Sequence, residues 1–134
     1  MKRALVLRHV DHEGIAGYRE PIEAAGYDVH RVAAHHAGCA RLDTMTPDLL
    51  VVMGGPMGVA DIGRLPGLAE ERDLLAHAVE RDLPVLGICL GGQLLASALG
   101  AEVRVGEPGP ELGFDLVELT DAGRDDPVLG PTAD

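Results

Sequence analysis

A doubly wound α/β fold around a mostly parallel sheet is what three features of the 134-residue sequence predict. Short apolar runs alternate with stretches of helical periodicity as far as Gly100, the pattern of βαβ units. The runs are mostly continuous rather than alternating, as strands covered by helices on both faces must be. Three of them end in polar or glycine-containing turns, and in such sheets ligands bind outside the carboxyl ends of the strands.

Residues 4–7 (Ala-Leu-Val-Leu) form the first buried strand, stopped by Arg8 and His9, with the polar turn His9-Val10-Asp11-His12-Glu13-Gly14 at its carboxyl end. A helix follows over residues 18–25, with Pro21 in its first turn and Gly26 as its stop. Residues 27–34 make the second strand. His35-His36-Ala37-Gly38-Cys39 reads as a solvated loop rather than a metal site, because no second cluster completes a ligand set.

The next strand, residues 48–53, runs straight into Gly54-Gly55-Pro56-Met57-Gly58, a loop whose backbone N–H groups can face a ligand directly. It lacks the Lys-Ser/Thr of a P-loop and the spacing of a dinucleotide fingerprint, so no phosphate or cofactor is expected there. A helix over residues 68–80 places Leu68, Leu75, Ala78 and Val79 inward and leaves Glu70, Glu71, Arg72 and Asp73 to solvent. Another strand starts at Pro84, and the helix after it carries Leu94, Leu95, Ala98 and Leu99 inward before stopping at Gly100. Residues 101–105 and 114–119 read as an antiparallel excursion, since the segment between them is too short for a crossover helix. Residues 120–134 read as a connecting loop. Nothing divides the chain, so residues 1–134 are expected to form a single domain.

Composition narrows the function. A net charge of −11 disfavours a nucleic-acid backbone or an anionic membrane as partner. No apolar run approaches the ~20 residues that span a bilayer, and the amino-terminal run is too short for a secretory signal. The two cysteines, Cys39 and Cys89, form neither a disulfide framework nor a metal-ligand pair, which suits a reducing cytoplasm.

The chemistry concentrates in Pro84-Val85-Leu86-Gly87-Ile88-Cys89-Leu90-Gly91-Gly92-Gln93, a strand turning sharply into a helix. Gly-x-Cys-x-Gly is the thiol form of a nucleophile elbow. Cys89 is the candidate nucleophile, because a helix N-terminus offers unpaired N–H groups and partial positive charge that favour thiolate. Leu90 N–H, the next along, is positioned to stabilise an oxyanion.

These residues resemble the class I glutamine amidotransferase family. Gly87-Ile88-Cys89-Leu90-Gly91-Gly92-Gln93 matches its nucleophile motif and Gly54-Gly55-Pro56 its oxyanion loop; Glu111-Leu112-Gly113-Phe114 and Val117-Glu118-Leu119-Thr120 resemble the GMP-synthase-like branch. The resemblance implies a flavodoxin-like sheet, glutamine as substrate, Cys89 as catalytic nucleophile, Gly55 and Leu90 as oxyanion hole, and Gly54 and Gln93 as substrate-binding residues. It implies no metal or cofactor, and an ammonia-accepting synthase partner or domain.

One departure matters. The family supplies a His and a Glu from well downstream of the elbow, whereas no histidine follows His77. A thiol nucleophile needs a base, so the sequence is expected to be the first part of a longer domain, inactive alone, with a free strand edge that favours homo-oligomers. His9, His12 and His77 are the substitutes within the chain. Three alternatives stay open: a γ-glutamyl hydrolase or peptidase, a DJ-1/PfpI-like cysteine hydrolase in which Glu13 would hold the thiol ionised, and a non-catalytic remnant.

Overall fold

The computed structural model describes residues 1–34 and 46–133. The His35–Cys39 loop lies outside the described residues. The chain divides into two units, Met1–Arg104 and Val105–Asp134.

In the first unit four strands form one parallel sheet: β1 (Lys2–Arg8), β2 (Tyr27–Ala33), β3 (Leu49–Val52) and β4 (Val85–Gly87). Their spatial order is β2-β1-β3-β4, so the order reverses between β1 and β3. Such a switch point opens a crevice at the carboxyl ends of the strands. The helices are α1 (Arg19–Ala24), α2 (Pro66–Glu80) and α3 (Leu90–Ala98), with short 3₁₀ turns at Ala16–Tyr18 and Val59–Asp61.

Two apolar clusters mark the two faces of this sheet. Leu5, Leu7, Leu50 and Val52 pack with Leu68, Leu75 and Ala78 of α2 and Leu90 and Leu94 of α3. Val6 and Val51 point the other way, toward Ile15 and Ile22 of the α1 side. Neighbouring strand residues alternate faces, so both faces being covered is what makes the runs continuously apolar. Each fully buried Leu contributes about 1.5–3 kcal/mol.

Local sequence sets the boundaries. Gly26 ends α1 with φ 88°, and Gly100 follows α3 with φ 85°, both in the left-handed region that glycine enters without strain. Pro66 opens α2, where its missing N–H would have had no acceptor. Two residues expected inward, Val79 and Leu99, are instead exposed, because each helix turns them past the edge of its buried stripe.

In the second unit the structure corrects the expected antiparallel excursion. Residues 101–105 and 114–119 form neither strand nor helix. Val105, Leu112, Phe114, Leu116 and Val117 are almost fully exposed, and a strand without a ladder partner leaves its backbone groups to water. The expected closing loop instead contains α4 (Asp121–Asp125), whose Thr120 hydroxyl accepts Gly123 N–H at 3.1 Å, and a 3₁₀ turn at Gly130–Thr132. A cap of this kind holds a short helix start. Asp126 then accepts the N–H groups of Leu129 and Val128, which together hold its carboxyl below the usual range.

Candidate active site

Three strand ends meet at the switch point: β1 at His9, β3 at Gly54-Gly55 and β4 at Cys89. Cys89 is the N-cap of α3, with φ 54° and ψ −113°. A non-glycine residue held there stores strain of about 1–3 kcal/mol, which packing must offset. That packing is supplied by the glycines on either side. A Cβ on Gly91 would lie 2.0 Å from the Val52 carbonyl oxygen, and one on Gly87 would lie 2.7 Å from the Gly91 oxygen. Neither glycine has positive φ. The flanking glycines therefore serve close approach between helix and strand, while the strain falls on Cys89 itself.

The thiol is exposed. Leu90 begins α3, and the N–H groups of a first helical turn have no acceptor within the helix. The glycine loop lies alongside: a Cβ on Gly54 would sit 3.3 Å from Cys89 Cβ and 3.7 Å from its Sγ. Glu13 Oε2 would be 3.6 Å from the same point, which brings that carboxylate to the rim of the site. Gln93, in the first turn of α3, is exposed.

His9 and Glu71 overturn two expectations. His9 is not part of a solvated turn and Glu71 is not on a solvated face; they are 3% and 2% exposed. His9 Nε2 lies 2.7 Å from Glu71 Oε2, and His9 Nδ1 lies 2.9 Å from the Gly54 carbonyl oxygen. Both partners accept, so both ring nitrogens must donate, and His9 is an imidazolium. Burial opposes that charge. The hydrogen bond and Coulomb attraction of Glu71, with the Gly54 and Met53 backbone, outweigh it and raise the His9 pKa. A signal for Glu71 does exist in the sequence, since Leu68, Glu71, Leu75 and Ala78 follow a helical repeat and all are buried. A glutamate at such a position requires a buried partner.

This pairing removes His9 as a base for Cys89, because neither ring nitrogen is free to take a proton. His77 is placed at the other end of the sheet. With Arg81, Asp82 and Pro84 it lines a cavity of about 320 Å³ at the amino ends of the strands, away from the thiol. His12 is exposed on the loop after β1. Among the described residues no group of three or more His, Cys, Asp or Glu side chains is placed to hold a metal ion, and no helix is long and apolar enough to cross a membrane.

A parallel sheet with a strained cysteine elbow beside a glycine loop defines a class, and the family model for glutamine amidotransferase class-I matches residues 18–124. The chain belongs to that family. It is 41% identical over 88 residues to the glutamine-hydrolysing subunit of GMP synthase from Haloquadratum walsbyi, a match covering 66% of this chain and 40% of that protein. The glutamine amidotransferase-like protein YfeJ of Salmonella typhimurium is 35% identical over 127 residues, 90% of this chain and 52% of its own. A crystal structure of a glutamine amidotransferase from Thermotoga maritima superposes with a TM-score of 0.74 at 30% identity, covering 84% of this chain and 49% of that one. The chain thus spans about half the length, or less, of these relatives.

Proposed function

We propose that this chain carries the thiol half of a glutaminase site that supplies ammonia to a synthase partner or domain. Cys89 Sγ adds to the side-chain carboxamide carbon of glutamine, and the resulting oxyanion is held by the N–H groups of Leu90 and Gly55. The C–N bond then breaks, ammonia leaves with an added proton, and water cleaves the γ-glutamyl thioester to glutamate. Gly54 and Gln93 line the substrate side. Glutamine is the substrate, as it is for the glutamine-hydrolysing GMP synthase that this chain resembles. The site works without metal or cofactor, in the cytoplasm, where a free thiol survives. Residues 1–134 contribute to one domain, which self-associates through its open strand edges.

The observation that carries this reading is the elbow itself, a cysteine at φ 54° on a helix N-terminus beside Gly54. A second reading has support from Glu13, whose carboxylate and the Cys89 thiol approach the same point, as a DJ-1/PfpI-like hydrolase would require. The test is protection of Cys89 from iodoacetamide. Glutamine at millimolar concentration should slow alkylation at Cys89, and γ-glutamyl peptides should do so less. Protection by γ-glutamyl peptides alone would favour the hydrolase alternative. If neither protects, and Glu13→Gln slows alkylation several-fold, the second reading stands instead.

A further inference from the structure

We infer that the buried His9–Glu71 pair is a positioning device that fixes the direction of the Gly55 N–H, the oxyanion donor of the proposed glutaminase site, on which reading the inference rests. The peptide between Gly54 and Gly55 is planar and trans, so its C=O and N–H point in opposite directions. A donor that holds the Gly54 oxygen therefore also sets where the Gly55 N–H points. His9 Nδ1–H is that donor, at 2.9 Å.

The loop requires such a device because of the residues it must contain. Gly54 has no Cβ because Cys89 occupies the space, and Gly55 has none because a Cβ there would lie 2.9 Å from His9 Cβ and 3.3 Å from Leu90 Cδ2. Two consecutive glycines permit rotation of the peptide between them at little steric cost. Pro56 restricts Gly55 ψ but leaves that rotation open. Close packing around the thiol thus imposes glycines, and glycines leave the donor's direction undetermined. A charged, buried donor on the carbonyl side closes that freedom.

Glu71 extends the device into α2. Its carboxylate keeps His9 doubly protonated and fixes the ring plane, so one imidazole joins β1, the glycine loop and α2. The cavity beside the pair, about 180 Å³, is bounded by apolar groups such as Met57, Leu65 and Leu68, and its titratable lining groups are His9 and Glu71. On the loop side, Glu13 and the Cys89 thiol approach Gly54. Arg8, the neighbour of His9 in sequence, directs its guanidinium to Asp11.

The test compares two thiol reagents on the 134-residue chain. Iodoacetamide reports the thiol alone. The glutamine-shaped chloroketone 2-amino-4-oxo-5-chloropentanoate reacts through addition at its ketone, whose oxygen needs the same donors as the substrate; the Sγ–C bond then forms as chloride leaves. In Glu71→Gln and His9→Leu the iodoacetamide rate at Cys89 should change less than about 2-fold. The chloroketone rate should fall by about 10²-fold in His9→Leu, the effect of losing one oxyanion donor. His9→Asn, whose amide can donate from near the Nδ1 position, should recover part of that loss. Ring-¹⁵N NMR should show His9 of the wild-type chain keeping both protons above the ordinary imidazole range of about 6.5, and losing one at lower pH in Glu71→Gln. An unchanged chloroketone rate in His9→Leu overturns the inference, as do equal losses with both reagents, which signify a damaged fold. A wild-type chain that reacts with iodoacetamide but shows no preference for the chloroketone refutes the glutaminase reading itself, and is told apart by appearing before any substitution.

Discussion

Gly91 and Gly92 are adjacent in sequence and lie in the same helical turn, yet an added methyl group should act on them with opposite sign. In Gly91→Ala the new Cβ would be 2.0 Å from the Val52 carbonyl oxygen, 2.7 Å from its carbon and 3.0 Å from its Cβ. Side-chain carbons do not approach backbone that closely, so α3 must back away from β3 by about 1 Å or the elbow must unwind. Overpacking of this kind costs about 1–3 kcal/mol, and here the obstacle is backbone that cannot rotate aside. In Gly92→Ala the nearest atoms are the Gly87 oxygen at 3.4 Å and its carbon at 3.8 Å, which are ordinary contacts. Replacing a helical glycine by alanine without strain stabilises by up to about 1 kcal/mol. Urea denaturation of the two variants should therefore move the midpoint down by roughly 1 M for Gly91→Ala and slightly up for Gly92→Ala, taking the slope of a small domain as about 1–3 kcal/mol per M. Alkylation of Cys89 provides a second readout, since displacement of the elbow changes the environment of its thiol. If Gly91→Ala unfolds at the wild-type midpoint, the close approach of α3 to β3 is wrong, and with it the account of why Cys89 carries the strain.

The remaining expectations concern charge, reactivity and turnover. The His9 pKa is raised on folding, so its contribution to stability is complete below the unfolded value of about 6.5 and is lost as pH rises through the folded value. Urea midpoints measured from about pH 6 to 9 should decline in wild type and more weakly in His9→Leu; parallel curves would contradict the pairing. Cys89 should be alkylated before Cys39 in the folded chain, and peptide mapping that finds Cys39 modified first would remove the elbow's chemistry. Gly55→Val should reduce turnover in an active full-length relative by roughly 10²-fold, since its side chain meets His9 and Leu90 as well as displacing the donor; unchanged turnover with intact folding would take the loop out of the mechanism. Steady ammonia release from glutamine by the 134-residue polypeptide is not expected, because His9 and His77 are committed elsewhere, and a positive assay would direct attention to His12.

Local information is enough for the elements whose residues act on nearest neighbours in sequence. The continuous apolar character of residues 4–7 and 48–53, the helical repeat after Pro66, and the stops at Gly26 and Gly100 reflect backbone sterics and one-sided burial, which a short window contains. The elbow is legible for the same reason, since strand, turn and helix start fall within about ten consecutive residues. Tertiary structure decides what depends on atoms far apart in the chain. Why Gly87 and Gly91 are glycines becomes clear only from the distance to each other's backbone and to Val52. The segments at 101–105 and 114–119 have strand-forming side chains, but a strand exists only when another backbone completes its hydrogen bonds, and none does so among the described residues. His9 and Glu71 look like solvated polar residues because each is costly to bury alone. Sixty-two positions separate them, and only the folding of α2 over the carboxyl end of β1 brings together the opposite charges that make their joint burial tolerable.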